Sequence, residues 1–355
     1  MGHKICRIPG DDTGHDVMRA AMIVFDALDL DIEWVDADAG WCMWEAKGNT
    51  VPPETWEALE STDACYFGAI TSKPGVKGFK SAILQIRQRL DLYANMRPVK
   101  AIPGVPLNYR DDIDMVIFRE NTEGLYSAVE ARPMPKELVG ILPNLERFAD
   151  LDDVAISCRV FSRRGCERIV RAAFEHARKF GRKLVTAVHK ANVIRATDGL
   201  FLEVFREVAE EYPEIKTSEE NVDATAMWFI KNPQFYEVIV TTNMFGDIIS
   251  DEGCQLVGGL GFGASANVGD SYGVFEPNHG SAPKYAGRYV VNPTATILAG
   301  RLMLQWLGEE RAAERIWNAV LALYADPGAP KTYDVVGRDR AAGSLEVAEA
   351  VAARL

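Results

Sequence analysis

No run in this chain approaches the roughly 20 consecutive apolar residues that span a bilayer, and no low-complexity tract or internal repeat interrupts it. The start, Met1-Gly2-His3-Lys4-Ile5, has no apolar leader core, so the chain is read as cytoplasmic. Cysteine is sparse and unpatterned. The six residues, at 6, 42, 65, 158, 166 and 254, form no CxxC pair, and most sit beside apolar neighbours, as in Ala64-Cys65-Tyr66-Phe67. They are read as buried free thiols in a reducing compartment. Positive charge is in deficit, 39 Lys and Arg against 51 Asp and Glu, for a net charge of −12. That balance disfavours a nucleic-acid backbone or an anionic membrane as partner. An anionic substrate would need a local basic pocket.

With 355 residues, 48% apolar and 25% charged, the chain is long enough for two lobes and ordinary enough to fold unaided. Short apolar runs alternate with helical patterns, as in an α/β chain with crossover connections. Strands are expected at Ala64 to Ala69, Met115 to Phe118, Leu184 to Val188 and Val238 to Thr241. A helix is expected after Ser162, with Ile169, Val170, Ala173, Phe174 and Ala177 on its apolar face and Gly181 as its stop. Another covers Thr294 to Leu307. The proline-rich stretch Arg97-Pro98, Pro103 and Pro106 is read as a crossing between lobes.

In Asn243-Met244-Phe245-Gly246-Asp247-Ile248-Ile249-Ser250-Asp251 two carboxylates stand four residues apart, on one face if the segment is helical. They are either a solvated pair or a site for a hard cation such as Mg²⁺ or Mn²⁺, to which Asp223 could add a third oxygen. Arg87, Arg97 and Arg119 recur near apolar runs, and a guanidinium there needs an anion. A structural partner such as Glu120 or Asp91 would serve, as would the carboxylates of a substrate; three such sites together favour a polycarboxylate pocket. Lys190 and Tyr126 have the chemistry of a proton acceptor and a proton donor, although each residue type is commonly solvated or packed. The run Gly258-Gly259-Leu260-Gly261-Phe262-Gly263 lacks the preceding strand and downstream acid of a Rossmann fingerprint and is rejected as one. His279 lies in a loop of small residues that a nucleotide could approach.

Six segments in order along the chain resemble the β-decarboxylating dehydrogenases, the family of isocitrate, homoisocitrate, 3-isopropylmalate and tartrate or D-malate dehydrogenases. They are Ile8 to Asp11, Leu90 to Pro98, Arg119 to Tyr126, Val188 to Asn192, Gly246 to Asp251 and Phe275 to Pro283. The resemblance implies a two-lobed, non-Rossmann α/β fold, nearest to the isocitrate and homoisocitrate type. Its large cofactor-binding lobe would comprise residues 1–98 and 253–355. The small lobe, 99–252, would carry the dimer interface and catalytic residues. It also implies that Arg87, Arg97 and Arg119 hold malate carboxylates, and that Asp247 and Asp251 bind Mg or Mn with Asp223 from the partner of an obligate homodimer. Lys190, also from the partner, would stand on the base side of the proton relay, and Tyr126 would protonate the enolate left after CO₂ departs. The cofactor would lie along Glu276, His279, Gly280, Ser281, Ala282, Lys284, Tyr285, Val291 and Asn292, with Tyr333 added.

The finer expectations rest on the same likeness. Lys284-Tyr285 after Ala282-Pro283 resembles the NADP users, where NAD users commonly have Asp-Ile; four residues after Tyr333, however, stands Gly337 rather than arginine. NADP is expected, with NAD the alternative. Lys80, Ser81 and Ile83 would read the malate substituent: the serine is isocitrate-like, whereas Ile83 replaces an asparagine and, with Asp38-Ala39-Gly40-Trp41, looks homoisocitrate-like. Lys73, Lys77 and Lys80 point to an anionic distal group unless they are only a solvated loop. The alternatives are 3-isopropylmalate, D-malate or tartrate, a phosphonomethylmalate-like substrate, or a catalytically silent regulatory subunit.

Overall fold

The fold is given by a computed structural model that describes residues 2–355. Twelve strands are formed among the described residues: β1 His3–Gly10, β2 Ile32–Asp36, β3 Ala64–Ala69, β4 Ala94–Lys100, β5 Asp114–Glu120, β6 Gly124–Ala131, β7 Ile156–Val160, β8 Leu184–His189, β9 Lys216–Asn221, β10 Val238–Thr241, β11 Ala264–Val268 and β12 Gly273–Pro277. Ten build one sheet in the order β2-β1-β3-β12-β11-β4-β5-β10-β8-β9, and β6 and β7 pair separately. Strands from the two chain ends run parallel from β2 to β12, and those from the middle run parallel from β5 to β9. Between them β12, β11, β4 and β5 are successively antiparallel. This α/β arrangement is not a Rossmann order.

Helices cover both faces. On one side of the end-built strands, Val24, Phe25, Leu302, Ile316 and Val347 pack together; on the other, Ile8, Phe67, Ile86 and Val274 do. The middle strands are sandwiched likewise, by Ile169, Phe174 and Phe205 on one face and Phe229, Ile239 and Ile249 on the other. Ser162 caps the helix Arg163–Lys179 by accepting from the Gly165 N–H at 2.9 Å, as its position before the apolar stripe predicts.

Arg97-Pro98 lies inside β4 rather than in a connecting loop. The pairing of β11 with β4 ends at Met96, so beyond it one side of β4 is free and a residue without an N–H is accommodated. The glycine run 258–263 precedes β11 instead of following a strand. Gly258 and Gly259, at φ 110° and 98°, turn the chain after the helix Asn243–Leu256 in a conformation that side chains avoid.

His176 packs against Phe118 and Phe180, with ring centroids 5.1 and 4.5 Å away. Burial, then the charges of Arg182 and Lys179, push its imidazole down to about 4. The native chain resists a proton that the unfolded chain accepts, so stability falls as pH drops below the ordinary histidine value and levels off only below the folded one. A loss on the order of 1–2 kcal/mol is expected between roughly pH 7 and pH 5. Urea melts of His176→Gln should show that much less acid sensitivity; an unchanged pH dependence would contradict this.

Candidate active site

Asn95 and Arg97 on β4 and Arg119 on β5 share one face of the sheet, because side chains alternate along strands and Asn95 pairs with Arg119 in register. The helix Asn243–Leu256 crosses that face. It can do so because position 246 is glycine: a Cβ there would stand 2.6 Å from both Cβ and Cγ of Arg119. Arg119 is 1% exposed. Its Nε and Nη2 donate to Asn243 Oδ1 at 3.0 and 2.8 Å, and its Nη1 contacts Asp247 Oδ1. Arg97 donates to Asn95 Oδ1 and Ser250 Oγ, both at 2.7 Å, and lies 3.4 Å from Asp247 and 3.5 Å from Asp251. Arg87, on the helix Ala82–Arg89, donates to Glu276 Oε1 at 2.8 Å, while its buried Nε has no partner. Glu276, expected against the cofactor, thus stands with the arginines, where it also accepts from Asn267 Nδ2 at 2.8 Å.

Three cations in one place alter one another. Burial, then Arg97 and Arg87, pull Arg119 down to about 9, which still leaves it charged at neutral pH. Burial opposes ionisation of Asp247, but Arg119, Arg97 and the Tyr126 hydroxyl outweigh it and hold the carboxyl below its ordinary range. Asp251 is raised by burial, which Arg97 offsets only in part. The Tyr126 hydroxyl donates to Asp247 Oδ2 at 2.6 Å, and its ring lies 5.1 Å from the Arg119 guanidinium carbon. Burial and that hydrogen bond raise its phenol, so it keeps its proton at neutral pH.

Lys190 and Asp223 form a separate cluster. The lysine ammonium contacts Asp223 at the start of the helix Val222–Lys231. The Lys190 backbone N–H is anchored on buried Asp198 at 2.6 Å, which Arg159 also holds at 2.6 Å. Among the described residues, no hydrogen bond or ion pair joins Lys190 or Asp223 to the arginine cluster, and no group of three His, Cys, Asp or Glu is placed to hold a metal ion. Asp247 and Asp251, with side chains 38% and 53% exposed, still offer hard oxygen donors. The pair fits Mg²⁺ or Mn²⁺ provided that further ligands come from outside this cluster.

The expected nucleotide loop does gather. His279, Gly280, Ala282, Tyr285, Val291, Asn292 and Tyr333 line one pocket of about 180 Å³, together with Thr13, Gly261 and Asp334. His279 Nε2 and Asp334 Oδ1 are buried without partners, and burial lowers the His279 imidazole. These are unmet hydrogen-bonding groups in the pocket. Ser281 is set behind the pocket, its carbonyl accepting from the Thr13 hydroxyl at 2.6 Å and its own hydroxyl donating to Asp12 at 3.0 Å. Lys284 Nζ lies 4.8 Å from the centre of the Tyr285 ring. Near the arginines, Ser81 precedes the helix Ala82–Arg89, its Oγ 3.4 Å from that of Ser72, and Lys80 is exposed. Ile83 is partly buried on the apolar cluster, one turn before Arg87. Lys73 is exposed, its Nζ over the Trp41 ring, 3.9 Å from the ring centre.

Residues 4–351 match the family described as isocitrate/isopropylmalate dehydrogenase. The chain belongs to that family. It is 46% identical over 332 residues, 93% of both chains, to the isocitrate/homoisocitrate dehydrogenase of Thermus thermophilus. It is also 46% identical over 329 residues, 90% of this chain and 92% of the other, to the 3-isopropylmalate/3-methylmalate dehydrogenase of Methanocaldococcus jannaschii. The crystal structure of isocitrate dehydrogenase from Methylococcus capsulatus superposes with a TM-score of 0.91 at 40% identity, covering 99% of each chain. As a member of the isocitrate/isopropylmalate dehydrogenase family, the chain is an NAD(P)-dependent oxidoreductase that oxidatively decarboxylates a hydroxyacid, and the family uses Mg or Mn. No described helix is long and apolar enough to cross a membrane.

Gly246 links the fold to this chemistry. A mid-helix Gly→Ala change ordinarily gains roughly 1 kcal/mol in helix propensity, but here the clash with the Arg119 stem, which the strand fixes, should outweigh it. Gly246→Ala is expected to cost about 1–3 kcal/mol net and to lower turnover by displacing Arg119 from Asn243 and Asp247. A neutral or stabilised variant with full turnover would show that the helix has room.

Proposed function

We propose that this enzyme oxidises and decarboxylates a 3-substituted malate with an anionic substituent, of the isocitrate or homoisocitrate kind, using NADP. The observation that carries the reading is the convergence of Arg87, Arg97 and Arg119 on one buried face beside Asp247 and Asp251, with Arg87 Nε unpartnered. A guanidinium fork matches a carboxylate, and three of them suit a tricarboxylic substrate. The name of the Thermus thermophilus relative points the same way. The partly buried Ile83 supports a second reading, a 3-alkylmalate as in the name of the Methanocaldococcus jannaschii relative.

In this proposal the arginines bind and orient the malate carboxylates. Asp247 and Asp251, with Asp223 of the partner subunit, would hold the divalent ion, which would supply Lewis acidity at the substrate's 2-oxygen, and a bound nicotinamide would supply the hydride acceptor. Lys190 of the partner subunit takes up the hydroxyl proton, and Tyr126, whose phenol is held protonated, returns a proton to the carbon that loses CO₂. Lys80 and Ser81 face the substituent. Lys284, Tyr285 and Tyr333 meet the 2′-phosphate of NADP, the two tyrosine rings standing 5.8 Å apart.

A homodimer is part of the same proposal. Lys190 and Asp223 stand apart from the arginines in one chain, and the surface that carries them is apolar. Val193, Met227, Ile230 and Ile248 are 67%, 49%, 51% and 59% exposed, more than isolated surface residues require. The proposed lobes, 1–98 with 253–355 and 99–252, leave these residues on the smaller one. Six free cysteines agree with a reducing, cytoplasmic setting, and the net charge of −12 with a small-molecule partner rather than nucleic acid or a membrane.

Steady-state assays with Mg²⁺ or Mn²⁺, each nicotinamide cofactor, and isocitrate, homoisocitrate, 3-isopropylmalate, D-malate, tartrate and a phosphonomethylmalate test this. Isocitrate or homoisocitrate with NADP should give a kcat/KM about tenfold or more above the others. The double change Lys284→Asp and Tyr285→Ile should shift the NADP to NAD ratio toward NAD by about 100-fold. A preference for 3-isopropylmalate would select the second reading, and an indifferent cofactor ratio would remove Lys284 and Tyr285 from cofactor choice.

A further inference from the structure

A cavity of about 750 Å³ lies on the face of the sheet opposite the arginine cluster. Alternation along the strands places it there. On β4, Asn95 and Arg97 face the candidate active site while Met96, Pro98 and Lys100 line the cavity; on β5, Arg119 faces the site while Val116 and Phe118 line the cavity. The remaining walls come largely from the helices Arg163–Lys179 and Thr294–Trp306. Its volume lies in the range of pockets that hold small organic ligands.

The charges around this cavity are unevenly satisfied. Asp114 accepts from Lys100 at 2.8 Å and from Arg182 at 2.6 Å, Glu237 from the Lys183 backbone N–H at 2.7 Å, and Glu175 from the Tyr212 hydroxyl. Every carboxylate on the wall is therefore engaged. Two cations have no ion-pair partner: among the described residues neither Arg301 nor Lys179 has a carboxylate within 4.0 Å, Arg301 feeling Glu310 and Asp114 only from farther away and Lys179 standing exposed at the rim. Arg301 Nε is buried with no hydrogen-bond partner, and its guanidinium instead lies 5.0 Å from the Trp317 ring centre. Lys179 Nζ sits 5.4 Å from the Phe180 ring centre. A buried donor without an acceptor costs free energy that an incoming anion would recover.

An apolar wall with one buried, unpartnered guanidinium N–H matches one class of ligand. A polycarboxylate would meet Asp114, Glu175 and Glu237, and a neutral hydrocarbon would leave Arg301 unmet. We propose that this cavity is a second ligand site, for a small monocarboxylate with an aromatic or branched aliphatic body. The carboxylate lies on Arg301, and the body lies on Phe118, Phe275 and Trp306. The site is independent of the substrate assigned to the arginine cluster, from which the sheet separates it.

Calorimetric titration of the full-length protein with hydrocinnamate, and with hydrocinnamyl alcohol as its uncharged match, tests the proposal. Saturable binding of the acid is expected, with the alcohol weaker by about tenfold or more. Arg301→Gln should weaken the acid by about tenfold and leave the alcohol unchanged. Ala172→Trp, which fills the cavity from the helix Arg163–Lys179, should abolish binding of both while turnover is kept. Gln305→Trp fills it from the other helix and gives the same reading should the first variant fail to fold. Absence of binding, equal affinity for acid and alcohol, or an Arg301→Gln variant that binds normally would overturn the proposal. So would binding lost in Arg97→Gln but retained in Arg301→Gln, which would place the probe at the arginine cluster.

Discussion

Three guanidinium groups brought to one buried face must be neutralised, and the rest of the site is arranged around that requirement. Unpaired, Arg119 would carry a large desolvation cost. Asn243 and Asp247 relieve it, and both come from one helix whose close approach depends on a glycine opposite the arginine stem. Ser250 and Asn95 hold Arg97 in the same way, and Glu276 holds Arg87. Each carboxylate is thereby committed in part to an arginine. Burial raises the Asp251 carboxyl, which Arg97 offsets only in part.

This arrangement depends in turn on the sheet. Two parallel blocks, one from the chain ends and one from the middle, meet at the antiparallel strands β11, β4 and β5. The seam is where β4 and β5 set Arg97 and Arg119 side by side. Its opposite face bears the cavity in which Arg301, from the helix Thr294–Trp306, keeps an unpartnered Nε, so the same two strands separate the arginine cluster from that second group.

Much of this was legible in the amino-acid order. Strands buried on both faces read as unbroken apolar runs, and Ala64–Ala69 and Val238–Thr241 fall where those runs stand. β9, Lys-Thr-Ser-Glu-Glu-Asn at the sheet edge, gives no such signal, because an edge strand need not be apolar. Pro98 looks like a connection until the register of β4 and β11 is known. The arginines, Tyr126, Asp247 and Asp251 could be named from their motifs. The amides beside the arginines, Asn95 on β4 and Asn243 on the helix Asn243–Leu256, meet them only once those elements pack, and no spacing reveals that. Thr13, Gly261 and Asp334 reach the pocket around His279 from three distant segments, and the contact of Lys73 with Trp41 joins residues too far apart in the chain for spacing to show.

In the proposed dimer one chain holds only half of the catalytic set, the arginines, Tyr126 and two aspartates, while Lys190 and Asp223 serve the site of a second copy. Mixing the inactive variants Tyr126→Phe and Lys190→Met through denaturation and refolding tests it most directly. In a mixed dimer one site would then draw intact Tyr126 and intact Lys190 from different chains, so random pairing should restore about a quarter of wild-type activity. No recovery, with mixed dimers verified by mass, would place both residues in the same chain's site and rule out a shared one.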